Sequence, residues 1–120
     1  LAPSEMCIRD SSTIADGCDV KVPGEQTYEV VKHLVDEFIL VTEEEIEHAM
    51  KDLMQRAKII TEGAGALPTA AILSGKINNK WLEDKNVVAL VSGGNVDLTR
   101  VSGVIEHGLN IADTSKGVVG

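Results

Sequence analysis

The sequence predicts an α/β fold in which a mostly parallel sheet is flanked by helices. Residues 38–41 (FILV) and 87–91 (VVALV) are short, continuous apolar runs, a pattern typical of strands that are buried on both faces of a sheet. Between and around these runs, apolar residues recur every three or four positions, as in amphipathic helices. A chain of 120 residues is large enough for one domain at most.

The first part of the chain combines a loop with a short helix. Residues 13–24 contain two glycines and a proline, which favours a loop with short extended pieces. Residues 27–35 are predicted to form an amphipathic helix, because apolar side chains recur there at helical spacing: Tyr28, Val31, Leu34 and Val35. The apolar run at 38–41 follows directly and is predicted to be a buried strand.

The clearest helix begins after Thr42. The sequence TEEE at 42–45 is a capping box, in which the Thr42 hydroxyl accepts from the N–H of Glu45 and the Glu45 carboxylate accepts from the N–H of Thr42. Acidic side chains also suit the positive end of the helix dipole, so this acidic run indicates a helix start and not a metal site. The predicted buried stripe consists of Ile46, Ala49, Met50, Leu53, Met54 and Ala57.

A glycine-rich segment separates this helix from the next one. Residues 59–62 are predicted to be extended, and the run GAGA at 63–66 permits close approach of the backbone to a neighbour. A helix is then predicted over 66–74, with Pro68 in its first turn and Gly75 at its end.

The last part of the chain contains a connection, a strand and a helix. Residues 78–86 are mostly polar and favour a surface connection, which leads into the predicted strand at 87–91. A helix is predicted over 99–107, with three side chains facing inward: Val101, Val104 and Ile105. Residues 110–120 are small and polar, and we expect them to fray.

Composition excludes several classes of function. The chain has 19 acidic residues against 11 basic ones, so its formal net charge is −8, and only 2% of its residues are aromatic. Nucleic-acid binding needs basic surfaces and stacking rings, so both numbers argue against it. The charge also argues against an anionic membrane surface, and no apolar run could span a bilayer. Cys7 and Cys18 lack zinc-site spacing and no signal peptide is present, so we expect free thiols in the cytoplasm.

The first eleven residues differ from the rest of the chain. They read LAPSEMCIRDS, without periodicity and without turn residues that would join them to the next segment. The stretch EMCIRDS resembles a translated sequencing-library adapter, so we expect residues 1–11 to be a non-native tail and residues 12–120 to be the native part. This interpretation also predicts that the chain is a fragment of a longer protein.

Two glycine-containing turns follow predicted extended segments. TEGAG at 61–65 and SGGN at 92–95 both lie where a strand would end and a helix would begin. In α/β sheets, ligands bind at the carboxyl ends of strands and near helix N-termini. Taken alone, SGGN matches neither a dinucleotide-binding fingerprint nor a phosphate-binding P-loop, and a tight turn explains it better than a binding site.

In combination, these motifs are more specific. The chain contains, in this order, ADGCDV at 15–20, TYEVVKHLVDEFILVTEEEI at 27–46, TEGAGALPTAAILSGK at 61–76 and VVALVSGGNVDLTRVS at 87–102. This order resembles the catabolic threonine dehydratases (threonine ammonia-lyases), which are fold-type-II pyridoxal-phosphate enzymes. The resemblance covers about residues 13–120. It implies the C-terminal portion of the larger, cofactor-binding α/β domain, and a parent reaction that converts L-threonine into 2-oxobutanoate and ammonia, with L-serine as a lesser substrate.

The resemblance also implies which residues meet pyridoxal 5′-phosphate. Ser92 would face the ring nitrogen, with Gly93 and Gly94 keeping the backbone thin beside the ring. A neutral hydroxyl can hydrogen-bond only an unprotonated ring nitrogen, whereas an aspartate would hold that nitrogen protonated. The weaker electron sink favours loss of the β-hydroxyl over transamination or racemisation.

Four further positions are carried over from the resemblance. Glu62, Gly63 and Gly17 correspond to positions that line the cofactor pocket in relatives. Asn95 corresponds to a residue that would help hold a nucleotide activator, expected to be AMP. The three histidines, His33, His48 and His107, fall on predicted helices at spacings that do not suit a metal, so no metal site is predicted.

Two elements of the family have no counterpart in this sequence, namely the lysine that binds the cofactor covalently and the glycine-rich phosphate loop. We therefore expect the chain to be inactive alone, although its parent is expected to be an enzyme and a homo-oligomer. One alternative is a serine racemase or serine dehydratase of the same fold. Another is a non-catalytic fragment that acts only in packing or in oligomer contacts.

Overall fold

The computed structural model describes residues 13–20, 22 and 24–114, with side chains as far as residue 107. The proposed non-native tail at 1–11, with Cys7, lies outside the described residues, as does the segment 115–120. Four helices form the described structure: α1 (Glu25–Leu34), α2 (Glu43–Asp52), α3 (Gly63–Leu73) and α4 (Leu98–Thr114). Each corresponds to a predicted helix. No helix among these residues is long and apolar enough to cross a membrane.

Both hydrogen bonds of the predicted capping box are present at the start of α2. The Glu45 N–H donates to Thr42 Oγ1 at 3.2 Å, and the Thr42 N–H donates to Glu45 Oε2 at 2.7 Å. The Lys76 ammonium donates to the same Glu45 oxygen at 2.7 Å. This bond and the one from the Thr42 N–H hold the pKa of Glu45 below its ordinary value. The carboxylate thus joins the start of α2 to the segment after α3.

The core is formed mainly where α2 packs against α3 and α4. It contains seven buried side chains: Ala15, Ile46, Ala49, Met50, Ala66, Ala70 and Val104. Four of the seven are alanines, so the backbones of α2 and α3 approach closely where Ala49 faces Ala66 and Ala70. Because such an interior has little free volume, this contact fixes where the chain preceding α3 can lie.

The C-terminal end of α2 differs from the prediction. Ile46, Ala49 and Met50 are buried as expected, but Ala57 is exposed. The helix widens at Leu53–Ala57 into a π-helical turn and stops at Lys58, whose φ is +61°. A π turn holds more residues than an α turn, so the angular position of Ala57 shifts away from the buried stripe.

Helix α3 begins three residues earlier than predicted. The Ala66 N–H already donates to the Glu62 carbonyl at 3.1 Å, so Gly63 and Gly65 belong to the first turn. Pro68 therefore stands at the sixth helical position, and the prediction of a first-turn proline is wrong. Its ring nitrogen has no hydrogen to donate, so the helix lacks one backbone bond there. The predicted end is confirmed, since Gly75 has a φ of +69°.

Helix α4 packs on α2 along a narrow stripe. Val101 and Val104 are buried as predicted, but Ile105 is 42% exposed. Contact with α2 covers one line of side chains, and Ile105 lies beyond its edge. The helix also extends to Thr114, so residues 110–114 are helical where fraying was expected.

The predicted strands are not formed in the described part of the chain. Residues 38–41, 59–62 and 87–91 make no regular strand ladder, and the apolar residues of the last segment are largely exposed, with Val88 at 87% and Leu90 at 70%. The expected burial of 38–41 is wrong as well, since Phe38 and Leu40 are exposed. A strand needs a neighbour to pair its N–H and C=O groups, and no such neighbour is present among residues 13–20, 22 and 24–114.

The Thr42 cap leads to a first prediction. Thr42→Ala should lower the free energy of unfolding by about 1 kcal/mol, because the N–H of Glu45 loses its acceptor. Thr42→Ser keeps the hydroxyl and serves as the control. Urea denaturation followed by circular dichroism measures both variants, and an unchanged midpoint for Thr42→Ala would show that the cap contributes nothing to stability.

Candidate functional site

The TEGAG and SGGN motifs lie against each other. The Thr61 hydroxyl donates to the Gly93 carbonyl oxygen at 2.6 Å, and the Glu62 N–H donates to the same oxygen at 3.2 Å. Thr61 is only 1% exposed, and it is the buried polar side chain of the described core. One carbonyl oxygen therefore accepts two hydrogen bonds from the residues just before α3.

Two glycines allow this contact. A Cβ atom on Gly65 would lie 2.7 Å from the Gly93 carbonyl oxygen and 3.0 Å from the Gly93 nitrogen, and it would also collide with the Thr61 hydroxyl. A Cβ atom on Gly93 would collide with the Glu62 carboxylate, 2.6 Å from its Cδ. Glycine is needed at both positions because the neighbouring atoms occupy the space of a side chain.

A third segment, around residues 14–17, closes against the same place. Gly63 packs directly on the Ile14 carbonyl, and a Cβ atom on Gly17 would lie 3.1 Å from Ala64 Cβ and 3.7 Å from Glu62 Oε1. The structure thus brings together Gly17, Glu62, Gly63 and Gly93, four residues that are separate in sequence and were predicted to share one pocket.

A cleft of about 220 Å³ opens beside these residues. It is lined by Asp16, Glu62, Gly63, Asn95, Val96, Asp97 and Arg100. Arg100 donates to Asp16 Oδ2 at 3.1 Å across the cleft. Hydrogen bonds from the N–H and the hydroxyl of Thr99 to Asp97 lower the pKa of that carboxyl, so it is ionised at neutral pH.

Ser92 and Gly94 lie next to the cleft but do not line it. Both residues are exposed, and a Cβ atom on Gly94 would lie 3.4 Å from the Ile60 carbonyl oxygen. An exposed hydroxyl on a backbone that is held at the next residue can donate to, or accept from, a ligand group without first breaking a buried bond.

The histidines and a second cleft lie apart from this site. His107 Nδ1 is 3.4 Å from Glu47 Oε2, beside a cleft of about 450 Å³ lined by residues of α2 and α4. His33 is 3.8 Å from Glu29 on the exposed face of α1. Among the described residues, no three His, Cys, Asp or Glu side chains are grouped so that they could hold a metal ion.

Sequence reasoning missed Thr61 as a functional candidate, and it missed Arg100. Thr61 was considered only as the first letter of TEGAG. A signal was available, because a hydroxyl between the apolar pair 59–60 and a glycine-rich helix start must find a buried hydrogen-bond acceptor. Arg100 has no local signal, since its partner Asp16 is 84 residues away in sequence.

Comparison with known proteins places the chain in a family. The family described as "Pyridoxal-phosphate dependent enzyme" matches residues 3–93. The chain belongs to the pyridoxal-phosphate dependent enzyme family. The chain is 98% identical over 112 residues to the L-threonine dehydratase catabolic TdcB of Staphylococcus aureus strain USA300, and 93% identical over the same length to that of strain N315. These matches cover 93% of this chain but only 32% of each relative.

Solved structures of this pyridoxal-phosphate family have a similar fold. A serine racemase from Dictyostelium discoideum is 43% identical with a TM-score of 0.65, over 73% of this chain and 28% of that one. A maize serine racemase gives 36% and 0.68 over 86% and 32% of the two chains. A T.th. threonine deaminase gives 32% and 0.59 over 74% and 31%. The fold class is therefore α/β, as predicted, although the described residues contribute helices to it.

The contact between the motifs leads to a second prediction. Gly65→Ala should lower the free energy of unfolding by about 1–3 kcal/mol, because the new methyl meets backbone atoms of Gly93 that cannot move aside easily. Gly103→Ala is the matched control, since Gly103 lies in α4 with no atom within 4 Å of its Cβ position. The control should stabilise the chain by about 0.5–1 kcal/mol.

Chemical denaturation of both variants measures the difference. Equal effects of Gly65→Ala and Gly103→Ala would show that TEGAG and SGGN are not in contact.

Proposed function

We propose that the full-length protein containing this chain is a pyridoxal-phosphate-dependent L-threonine ammonia-lyase. It would convert L-threonine into 2-oxobutanoate and ammonia and would act on L-serine as a lesser substrate. The observation that carries the proposal is the 98% identity over 112 residues to an L-threonine dehydratase. The chain spans about a third of that relative, so the activity is proposed for the whole protein and not for the chain alone.

The proposed contribution of this chain is the ring-nitrogen side of the cofactor pocket. Ser92 would hydrogen-bond the ring nitrogen, and Gly93 and Gly94 would leave room for the ring. Glu62, Gly63 and Gly17 would line the adjoining wall, which their convergence around α3 supports. We further propose that segments 38–41, 59–62 and 87–91 are paired strands of a parallel sheet in the whole protein, where their exposed apolar side chains would be covered.

The residues present fit pyridoxal phosphate. Ser92 offers an exposed neutral hydroxyl, and the backbone beside it has no side chain for two residues. The only carboxylate in contact with SGGN in the described part of the chain is that of Glu62, and it lies over Gly93. When bound, the cofactor supplies an electron sink for the α-carbon of the amino acid. A hydroxyl at residue 92 keeps this sink moderate, because it stabilises an unprotonated ring nitrogen.

A serine racemase is the second candidate, and the solved serine racemases at 43% and 36% identity favour it. The two activities differ in product, since a racemase returns D-serine and a lyase releases ammonia and a 2-oxo acid. A purely structural role in packing or in oligomer contacts is the third candidate, and it predicts no effect of Ser92 on cofactor binding.

We also propose a cytoplasmic homo-oligomer that is activated by AMP. Asn95 and Arg100 both line the cleft of about 220 Å³, and a guanidinium is well suited to bind a phosphate group. The binding of small molecules at this acidic chain fits an amino-acid substrate better than a nucleic acid or a membrane as partner.

Substitution of Ser92 tests the proposed function. The full-length Staphylococcus aureus relative, carrying this chain's sequence in its matching segment, is the protein to use and is called the full-length protein from here on. Ser92→Ala should raise the Kd for pyridoxal phosphate by about fivefold, because one neutral hydrogen bond is worth about 1 kcal/mol. Ser92→Asp should raise the pKa of the ring nitrogen by placing a carboxylate against it, and should shift the reaction toward transamination.

The measurements are cofactor titration and the ratio of 2-oxobutanoate formed to cofactor converted to its amine form. Ser102→Ala is the control, because Ser102 is an exposed serine of α4 that hydrogen-bonds only to Glu106 in the described structure. If Ser92→Ala binds cofactor like the control and Ser92→Asp leaves the ratio unchanged, Ser92 does not face the ring.

A further inference from the structure

We infer that Thr61 is a positioning residue for Ser92, acting through the carbonyl of Gly93. This inference rests on the proposed function, because it concerns how Ser92 would be held toward the cofactor. Thr61 does not reach the cleft or the surface, since it is 1% exposed. It can therefore act on a ligand only through another residue.

The hydroxyl of Thr61 is committed to the neighbouring motif. It has one proton to donate, and the acceptors within reach are the Gly93 carbonyl at 2.6 Å and the Glu62 carbonyl at 3.1 Å. The shorter bond, to Gly93, joins two segments that are 32 residues apart in sequence. A buried hydroxyl without a partner is costly, so this bond is difficult to give up.

The Gly93 residue is held from several directions. Its carbonyl accepts from Thr61 and from the Glu62 N–H, its nitrogen lies against Gly65, and the Glu62 side chain covers its α-carbon. The peptide that joins Ser92 to Gly93 is thereby fixed. Ser92 itself is exposed, so the direction of its hydroxyl depends on this backbone and not on packing around its own side chain.

The loss of the Thr61 hydroxyl should therefore affect the cofactor more than the substrate. Without it, the Gly93 carbonyl keeps only the longer bond from Glu62, and the backbone after Ser92 can rotate. We expect weaker cofactor binding and an altered absorbance spectrum of the bound cofactor, with KM for L-threonine changed by less than about twofold.

The test compares Thr61→Ser with Thr61→Ala in the full-length protein. Both variants lose the γ-methyl of threonine, so they differ only in the hydroxyl. Thr61→Ser should bind pyridoxal phosphate within about twofold of the unmodified protein, whereas Thr61→Ala should raise its Kd by about fivefold, the value of one net hydrogen bond. Thr27→Val, an exposed threonine change on α1, is the control for nonspecific effects.

A double-mutant cycle with Ser92→Ala separates positioning from mere structure. If Thr61 acts through Ser92, Thr61→Ala should raise the Kd by less than about twofold when residue 92 is already alanine. Full additivity of the two changes would overturn the inference. So would a lower melting temperature of Thr61→Ala at unchanged Kd, or its failure to fold, because either result would assign the hydroxyl to fold stability alone.

The cycle also distinguishes this inference from the proposed function. If Ser92→Ala has no effect on cofactor binding, the assignment of Ser92 fails, and the positioning role fails with it. If Ser92→Ala weakens binding and Thr61→Ala does not, only the positioning role of Thr61 is wrong.

Discussion

The carbonyl of Gly93 accepts hydrogen bonds from the Thr61 hydroxyl and from the Glu62 N–H, and the arrangement of the candidate site depends on this pair of bonds. They join the segment before α3 to the segment before α4. Because the donors immediately precede α3, the SGGN turn is fixed relative to the core formed by α2 and α3. The cleft beside Glu62 and Asn95 exists because the two segments meet there.

The close packing of helices makes this arrangement possible. Ala49, Ala66 and Ala70 are fully buried, so the axes of α2 and α3 have little freedom to shift. Glycine at position 65 continues the same small-residue surface to the N-terminus of α3, where the neighbour is the Gly93 backbone instead of a side chain. One continuous surface of α3 thus serves the core at one end and the candidate site at the other.

Local chemistry made much of this structure predictable. The capping box at Thr42 and the glycine end of α3 each depend on a few neighbouring residues, and both are confirmed. The prediction that TEGAG and SGGN belong to one site required a resemblance to a family, because no local rule joins residues 32 positions apart. The membership of that family is shown by the match over residues 3–93.

Features that depend on distant partners were not predictable in the same way. Apolar composition identified 87–91 as a strand, but a strand forms only where another backbone pairs with it, and none does so in the described part of the chain. The exposure of Ala57 follows from a π turn that has no clear sequence signature. The position of Pro68 followed from where α3 begins, which the glycines at 63 and 65 obscured because glycine is a weak helix former.

The most direct test of the contact between the two motifs is the hydrogen-exchange rate of the Glu62 amide, measured by NMR on the chain. The Ala66 amide, which donates to the Glu62 carbonyl within the first turn of α3, reports whether that helix is formed. If Gly93 accepts from Glu62, the Glu62 amide should be protected from exchange to a similar degree as that of Ala66. Exchange of the Glu62 amide at the rate of an unstructured peptide, with Ala66 still protected, would contradict the account, because α3 would then be formed without the SGGN turn bound to it.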